Sequence, residues 1–203
     1  MRTPFFGLFF VAAALLAPTA GRGQSLLENG KFNNAGDPFK GWVTDYEWTG
    51  NSNYVGNKAH VSIASDGARK TAVKMDSPGE TGVKMESRPF PFEPGFRYTG
   101  AVDVKGGGYR IYFGGYKWAP GIHPHDNPEL SELRMIYMSK AVQAESPGAW
   151  KQEKIELPGV KLSAEALAHL KDIRFLTFYI WFNKPGFVDN ASVTKVADPT
   201  LKF

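Results

Sequence analysis

The stretch that decides the fold is IRFLTFYIWFNKPGFVDNASVTKV, residues 173–196. Its first ten residues alternate as a β-strand does, so successive side chains point to opposite sides. One side carries Leu176, Phe178, Ile180 and Phe182. The other side carries Tyr179 and Trp181, aromatic rings that each bear a polar group. The first side predicts a core strand, and the second predicts either a binding surface or a second buried layer.

A turn and a second strand complete this stretch. Residues 183–186 read Asn-Lys-Pro-Gly, a typical turn composition, and residues 187–196 alternate again. The second strand begins with two adjacent polar residues, Asp189 and Asn190. The pattern therefore predicts a hairpin whose second strand closes the fold.

The N-terminus has the features of a secretory signal peptide. Arg2 gives a positive start, residues 5–16 form an apolar run too short to span a bilayer comfortably, and residues 17–20 are small enough for cleavage. We expect residues 1–23 to be removed and the remaining protein to be secreted or periplasmic. The chain contains no cysteine, so residues 24–203 must be held together by a buried core rather than by disulfides.

The charge pattern argues against a nucleic-acid partner. Without Arg2 and Arg22, 22 basic residues are balanced by 20 acidic ones, and the two signs are interspersed. No segment after the signal peptide is apolar enough to predict a membrane span. We expect a monomer.

Turn residues interrupt the chain about every ten residues, which is typical of a β-sandwich or barrel. We predict one all-β domain over residues 24–203, with strands that include 26–32, 96–104 and 109–114. Gly106, Gly107 and Gly108 are interpreted as a hairpin connection between the last two. A short helix is predicted near 164–171, after a capping Ser163.

Motifs from both ends of the chain resemble those of the CenC-like carbohydrate-binding modules, a galactose-binding-domain-like family. Residues 27–33 read Leu-Glu-Asn-Gly-Lys-Phe-Asn and a Gly-Trp pair follows at 41–42. Residues 187–193 read Phe-Val-Asp-Asn-Ala-Ser-Val, which is similar to the final strand of these modules. Residues 92–98 and 149–157 are similar to two segments that lie between the first and final strands of these modules.

This resemblance implies an antiparallel β-sandwich of the jelly-roll type, with one concave sheet that receives a glycan. It also implies a structural calcium ion held by Asn33 and Asp189. Amides replace carboxylates at Asn33 and Asn190, which weakens such a site because calcium prefers charged oxygen ligands. The alternative is that Asp189 and Asn190 only hydrogen-bond the neighbouring turn. The fold alone does not decide sugar binding, because it also carries other functions.

Glycan sites combine flat aromatic rings with planar polar groups, because a pyranose has an apolar face surrounded by hydroxyls. Alternation places Arg110 and Tyr112 opposite the core side of their strand, where Tyr179 and Trp181 could join them, with Arg134 as a further candidate. The predicted ligand-binding residues are Arg110, Tyr112, Tyr179, Trp181, Trp118 and Trp48. The competing interpretation is that these aromatic residues are core.

Catalytic patterns are weak. There is no cysteine nucleophile, no Gly-x-Ser-x-Gly motif and no phosphate-binding loop. His123 and His125 form the best metal-like cluster, but their Pro-containing setting is typical of an exposed loop. We therefore predict an exported, non-catalytic protein that binds a polysaccharide or glycan. The alternatives are a structural or protein-interaction module of the cell envelope and, third, a small enzyme.

Overall fold

The computed structural model describes residues 24–44, 57–77, 82–159 and 164–201. The predicted signal peptide and the predicted binding residue Trp48 lie outside the described residues. Within the described ranges, no helix has the length and apolar character needed to cross a membrane.

The described residues form ten strands, two 3-10 turns and one helix. The strands are β1 (Trp42–Val43), β2 (Val61–Asp66), β3 (Arg69–Met75), β4 (Val83–Ser87), β5 (Phe90–Pro91), β6 (Phe96–Trp118), β7 (Leu133–Met138), β8 (Val142–Leu157), β9 (Phe175–Phe182) and β10 (Gly186–Ala197). The 3-10 turns are Asn57–His60 and Leu130–Glu132, and the helix is α1 (Ala164–Asp172). Every strand pairing is antiparallel. The all-β prediction and the short helix near 164–171 are confirmed.

Strand β6 passes through both layers of the sandwich. Its residues 96–106 pair with β10 and the end of β8, and residues 109–116 pair with β9. One layer contains β2, β3, β10 and the first part of β6, and the other contains β1, β4, β9 and the second part. The layers meet where Phe178 packs on Gly100, since a β-carbon there would lie 2.4 Å from the ring.

The predicted hairpin at Gly106–Gly108 is wrong, because these glycines lie inside the continuous strand β6. Gly106 and Gly108 have φ of +131° and +57°. A β-carbon on Gly106 would lie 2.5 Å from the Cα of Gly186, and one on Gly108 would lie 1.6 Å from the Oδ1 of Asn183. The glycines let β6 bend between layers against the β9–β10 turn.

Between the layers lies a core of aromatic and branched side chains, as the alternation of β9 predicts. Phe178, Phe182 and Phe113 are fully buried, and Phe113 and Phe178 contact each other at 5.6 Å between ring centroids. Burying one such side chain stabilises a fold by about 1.5–3 kcal/mol. The core side of β9 is therefore fixed, and its other side faces away from the sandwich interior.

The N-terminal and C-terminal motifs meet in space. The amide of Ala191 donates a 2.8 Å hydrogen bond to the carbonyl of Gly30. A β-carbon on Gly30 would lie 1.8 Å from the carbonyl oxygen of Ala191, so the two segments are in close contact. Phe32 packs on Trp42 with 5.1 Å between centroids. The strand predicted at 26–32 is wrong, because the segment forms bends and turns around Asn29.

Candidate ligand-binding face

The outward side of β9 and its neighbour β6 forms a row of paired side chains. In register, Arg110 lies beside Trp181, Tyr112 beside Tyr179, Gly114 beside Thr177 and Tyr116 beside Phe175. Trp118 continues the row at the end of β6. We call these nine residues the aromatic face. The strands hold them together because cross-strand partners in an antiparallel pair point to the same side.

Two contacts organise the part of this face near Trp181. The rings of Tyr112 and Tyr179 stack with 4.2 Å between centroids and 20° between planes. The guanidinium carbon of Arg110 lies 5.2 Å from the centre of the Trp181 ring. The structure thus brings together four predicted site residues on adjacent strands, as the alternation indicates.

Exposure differs along the aromatic face. Arg110 is exposed, and Tyr112 and Trp181 are half-buried. Tyr179 and Tyr116 are each only 6% exposed. An incoming ligand can therefore reach Arg110, Tyr112 and Trp181, while Tyr179 supports the ring of Tyr112 from its side.

A buried carboxylate lies beside the centre of the face, on the same side of the sheet, since Glu86 pairs with Tyr179. Glu86 on β4 is 2% exposed, and its Oε1 accepts 2.5 Å hydrogen bonds from the hydroxyls of Tyr116 and Thr177. Burial, together with the charge of Glu86, raises the pKa of Tyr116 far above its usual range. Gly114 makes room, since a β-carbon there would lie 2.8 Å from the Tyr116 ring and from the Thr177 hydroxyl.

A buried lysine on β4 lies on the same side of the sheet as the aromatic face. Lys84 pairs with Trp181 in register and is 8% exposed, with its ammonium 5.6 Å from the centre of the Tyr179 ring. Burial lowers the pKa of Lys84, and the nearby Glu86 partly offsets this. The Trp181 end of the aromatic face therefore carries two basic side chains, Lys84 and Arg110.

The other end of the face reaches an exposed histidine. Trp118 is half-buried and contacts the ring of Phe175 edge-on at 5.3 Å and the ring of His125 at 5.0 Å. The Nε2 of His125 lies 3.1 Å from Glu132, and its Nδ1 lies 2.8 Å from the carbonyl of Asp126. The hydrogen bond to Asp126 and the carboxylate of Glu132 raise the pKa of His125. Trp118 thus lies on the predicted face. It is eight residues along β6 from Arg110, so the two residues are separated by about 26 Å.

Arg134 does not belong to this face. It pairs with Lys117, which alternates to the side of β6 opposite Tyr116. The suggestion that Arg134 joins Arg110 is wrong, because the register of β7 turns it away.

A polar network occupies the outward side of the other layer. Arg69 donates hydrogen bonds to Asp189 at 2.7 Å and to Asp103 at 2.9 Å. The guanidinium of Arg69 also lies 3.9 Å from the ring centre of Trp150, whose indole nitrogen donates a 2.8 Å hydrogen bond to Asp66. A hydrogen bond from Lys105 holds the pKa of Asp66 below its usual value.

This network bears on the predicted calcium pair. Asp189 uses one oxygen for Arg69 and accepts the amide of Asn190 at 2.7 Å with the other, while Asn33 is exposed. A guanidinium beside a carboxylate does not fit a cation site, because like charges repel. Over the described ranges, no group of three or more His, Asp or Glu side chains could hold a metal ion. Calcium binding at Asn33 and Asp189 stays a prediction that these donors do not favour.

A separate cleft of about 260 Å³ lies beside the N-terminal segment. Glu28, Arg88 and Glu129 contribute its charged groups, and none of the predicted site residues line it. Glu28 is already paired with Lys40 at 2.7 Å. The cleft is therefore distinct from the aromatic face.

Sequence reasoning missed the groups that support the aromatic face. Glu86 and Lys84 were not among the predicted site residues, and Tyr116 was considered only as a possible rim residue beside Trp118. The one available signal is the alternation of Val83–Ser87, in which Lys84 and Glu86 share a side. Their partners on other strands were not visible in that pattern.

Comparison with known proteins gives fold similarity only. No protein-family model matches the chain, and no curated protein matches its sequence. Among solved structures, a cyclase from Fischerella sp. TAU in complex with 4-(1H-indol-3-yl)butan-2-one matches with 13% identity and a TM-score of 0.50, covering 85% of this chain and 96% of that one. At this identity the likeness concerns the fold alone.

Carbohydrate-binding modules are also among the similar structures. A tandem CBM22 domain from Paenibacillus barcinonensis has 15% identity and a TM-score of 0.49, covering 91% of this chain and 52% of that one. TmCBM61 in complex with β-1,4-galactotriose has 16% identity and a TM-score of 0.46, covering 85% and 99%. Carbohydrate-binding modules are thus among the structural neighbours, and these two do not single out the CenC-like group. The strand topology itself confirms the β-sandwich prediction.

Proposed function

We propose that the chain is an exported, non-catalytic carbohydrate-binding protein that receives a glycan on the aromatic face. The observation that carries this proposal is the row formed by Arg110, Trp181 and Tyr112, which are accessible side by side on paired strands. A sugar ring would stack its C–H face on Trp181 or Tyr112, and polar groups would hold its hydroxyls.

The support behind the rings fits this role. Tyr112 is held by its stack on Tyr179, and Tyr116 is held by Glu86. A binding platform whose side chains are already fixed loses little conformational entropy when a ligand arrives. Export through residues 1–23 is the part of the proposal that rests on the sequence, and the concave sheet is the part that rests on the resemblance to the CenC-like modules.

The experiment is affinity electrophoresis of the protein without residues 1–23, over a panel of soluble polysaccharides, with pull-down on insoluble ones. We expect retardation by at least one polysaccharide. Trp181→Ala should weaken that binding about tenfold or more, as loss of a central aromatic anchor does. Trp150→Ala, an aromatic truncation in the other layer, is the matched control.

A melting curve of each variant separates binding from folding. If Trp181→Ala loses the cooperative transition, Trp181 is a core residue and not a platform. If the unaltered protein is retained by no soluble or insoluble glycan, the proposed function fails.

A protein-interaction module of the envelope is the second candidate. Met135 and Met138 on β7 are 40% and 59% exposed, and β7 pairs only with β6 among the described strands. Exposed methionines on a strand edge are typical of protein-binding surfaces. Met135 pairs with Tyr116 and Met138 pairs with Gly114, so this surface adjoins the aromatic face. A double variant Met135→Gln/Met138→Gln that loses a specific protein partner in a pull-down but keeps its glycan binding would favour this candidate.

A further inference from the structure

Arg110 is the exposed cation at the accessible end of the aromatic face. Its Nε donates a 3.1 Å hydrogen bond to the side-chain oxygen of Gln143 on β8, and its guanidinium lies beside Trp181. In the described part of the chain it makes no ion pair with a carboxylate. Two contacts therefore fix the guanidinium and leave both terminal nitrogens available as donors.

Two other arginines show what this group does when a carboxylate is within reach. Arg97 donates to Asp198 at 2.8 Å, and Arg69 bridges Asp103 and Asp189. The guanidinium groups of both arginines are therefore bound by carboxylates of the same chain. Arg110 is oriented by Gln143 and the Trp181 ring without such an acid, so its terminal nitrogens remain available for the carboxylate of a ligand.

The charges around Arg110 do not close it with a carboxylate of the described chain. Lys84 on β4 faces the same side beside Glu86, and both of these side chains are buried. On β8, Glu145 is bound by Lys184 at 2.8 Å. Among the described groups that face this end, the accessible charge is therefore positive.

On the basis of the proposed function, we propose that the glycan bound at the aromatic face contains uronic acid, and that Arg110 binds the sugar carboxylate. Trp181 and Tyr112 take the C–H faces of the sugar rings. The planar guanidinium matches a planar carboxylate through two parallel hydrogen bonds, which a neutral sugar hydroxymethyl group does not offer. Arg110 is then the residue that determines specificity.

The test compares each acidic polysaccharide with its own carboxyl-reduced form, in which only the carboxylate is changed to a hydroxymethyl group. Polygalacturonate, alginate, glucuronoxylan and hyaluronan serve as probes, at low and high salt. We expect the acidic form of at least one to bind about tenfold or more tightly than its reduced form, and this preference should shrink with salt.

The variants assign that preference to one residue. Arg110→Gln should remove most of the difference between acidic and reduced forms while keeping the stacking contribution. Arg134→Gln makes the same charge change on the opposite side of the sheet and should bind as the unaltered protein does.

The possible failures are distinguishable. Equal affinity for acidic and reduced forms, or an acid preference that survives Arg110→Gln, overturns the uronic-acid inference and leaves glycan binding standing. Binding confined to neutral polysaccharides also overturns this inference alone. Absence of binding to every acidic, reduced and neutral glycan overturns both it and the proposed function.

Discussion

Removal of one buried hydroxyl in the aromatic face, that of Tyr116, should destabilise the protein by about 2 kcal/mol. The Tyr116 hydroxyl donates to Glu86, which is 2% exposed and has Thr177 as its other hydroxyl donor. A hydrogen bond to a charged group contributes about 1.5–3 kcal/mol, and a buried acceptor deprived of a donor keeps its desolvation cost. In a domain of this size, about 2 kcal/mol corresponds to a Tm lower by about 4–8 °C.

The assay is thermal and urea unfolding of Tyr116→Phe beside a matched control. Tyr137 is half-buried, burial raises its pKa, and its hydroxyl makes no hydrogen bond within the described ranges. Tyr137→Phe should therefore change the free energy of unfolding by less than about 0.5 kcal/mol. Equal losses in the two variants, or an unchanged Tyr116→Phe, would refute the supporting role of Glu86.

Four further outcomes are expected. Trp181→Ala should keep a cooperative melt while losing glycan affinity; a lost transition would place Trp181 in the core. Arg69→Met should cost about 2–3 kcal/mol in urea unfolding, because it leaves the partly buried Asp103 and Asp189 unpaired. Added calcium should leave the Tm unchanged, and a Tm rise saturating with calcium would instead support the predicted ion site. Burial raises the pKa of Tyr98 to about 12, against about 10 unfolded, so its contribution to stability is complete below pH 10 and declines as the pH rises from about 10 to 12; a Tm constant across that interval would contradict this.

The strand at the centre of the fold could be predicted from its pattern. Two-residue alternation in 173–182 assigned Phe178 to the core and Trp181 to the opposite side, and both assignments follow from the pleat of a single strand. The alternation alone does not predict that β9 pairs with β6. It predicts only that Tyr112 and Tyr179 would share a side if the two strands were paired.

The bend in β6 could not be predicted in the same way. Three consecutive glycines fit a hairpin turn and a strand bend equally well, because both need unusual φ angles. What decides between them is the packing of the β9–β10 turn, about 75 residues away along the chain, against Gly106 and Gly108.

The buried supports were also beyond the reach of local patterns. Tyr116 and Glu86 are 30 residues apart, Thr177 and Glu86 are 91 apart, and Arg69 and Asp189 are 120 apart. Such contacts depend on strand order, which alternation alone does not specify. The residues that share the outward side of β6 and β9, including the buried Tyr179, were therefore predictable, and the contacts of Glu86 and of Arg69 with distant strands were not.

The indole N–H signals of the protein offer the most direct measurement of where a glycan binds. A two-dimensional ¹⁵N–¹H spectrum is recorded while a polysaccharide that the protein retains is titrated in. The account predicts that the signal of Trp181 shifts with saturation, while that of Trp150 in the other layer stays in place. Saturating shifts of Trp150 with Trp181 unmoved would contradict binding at the aromatic face.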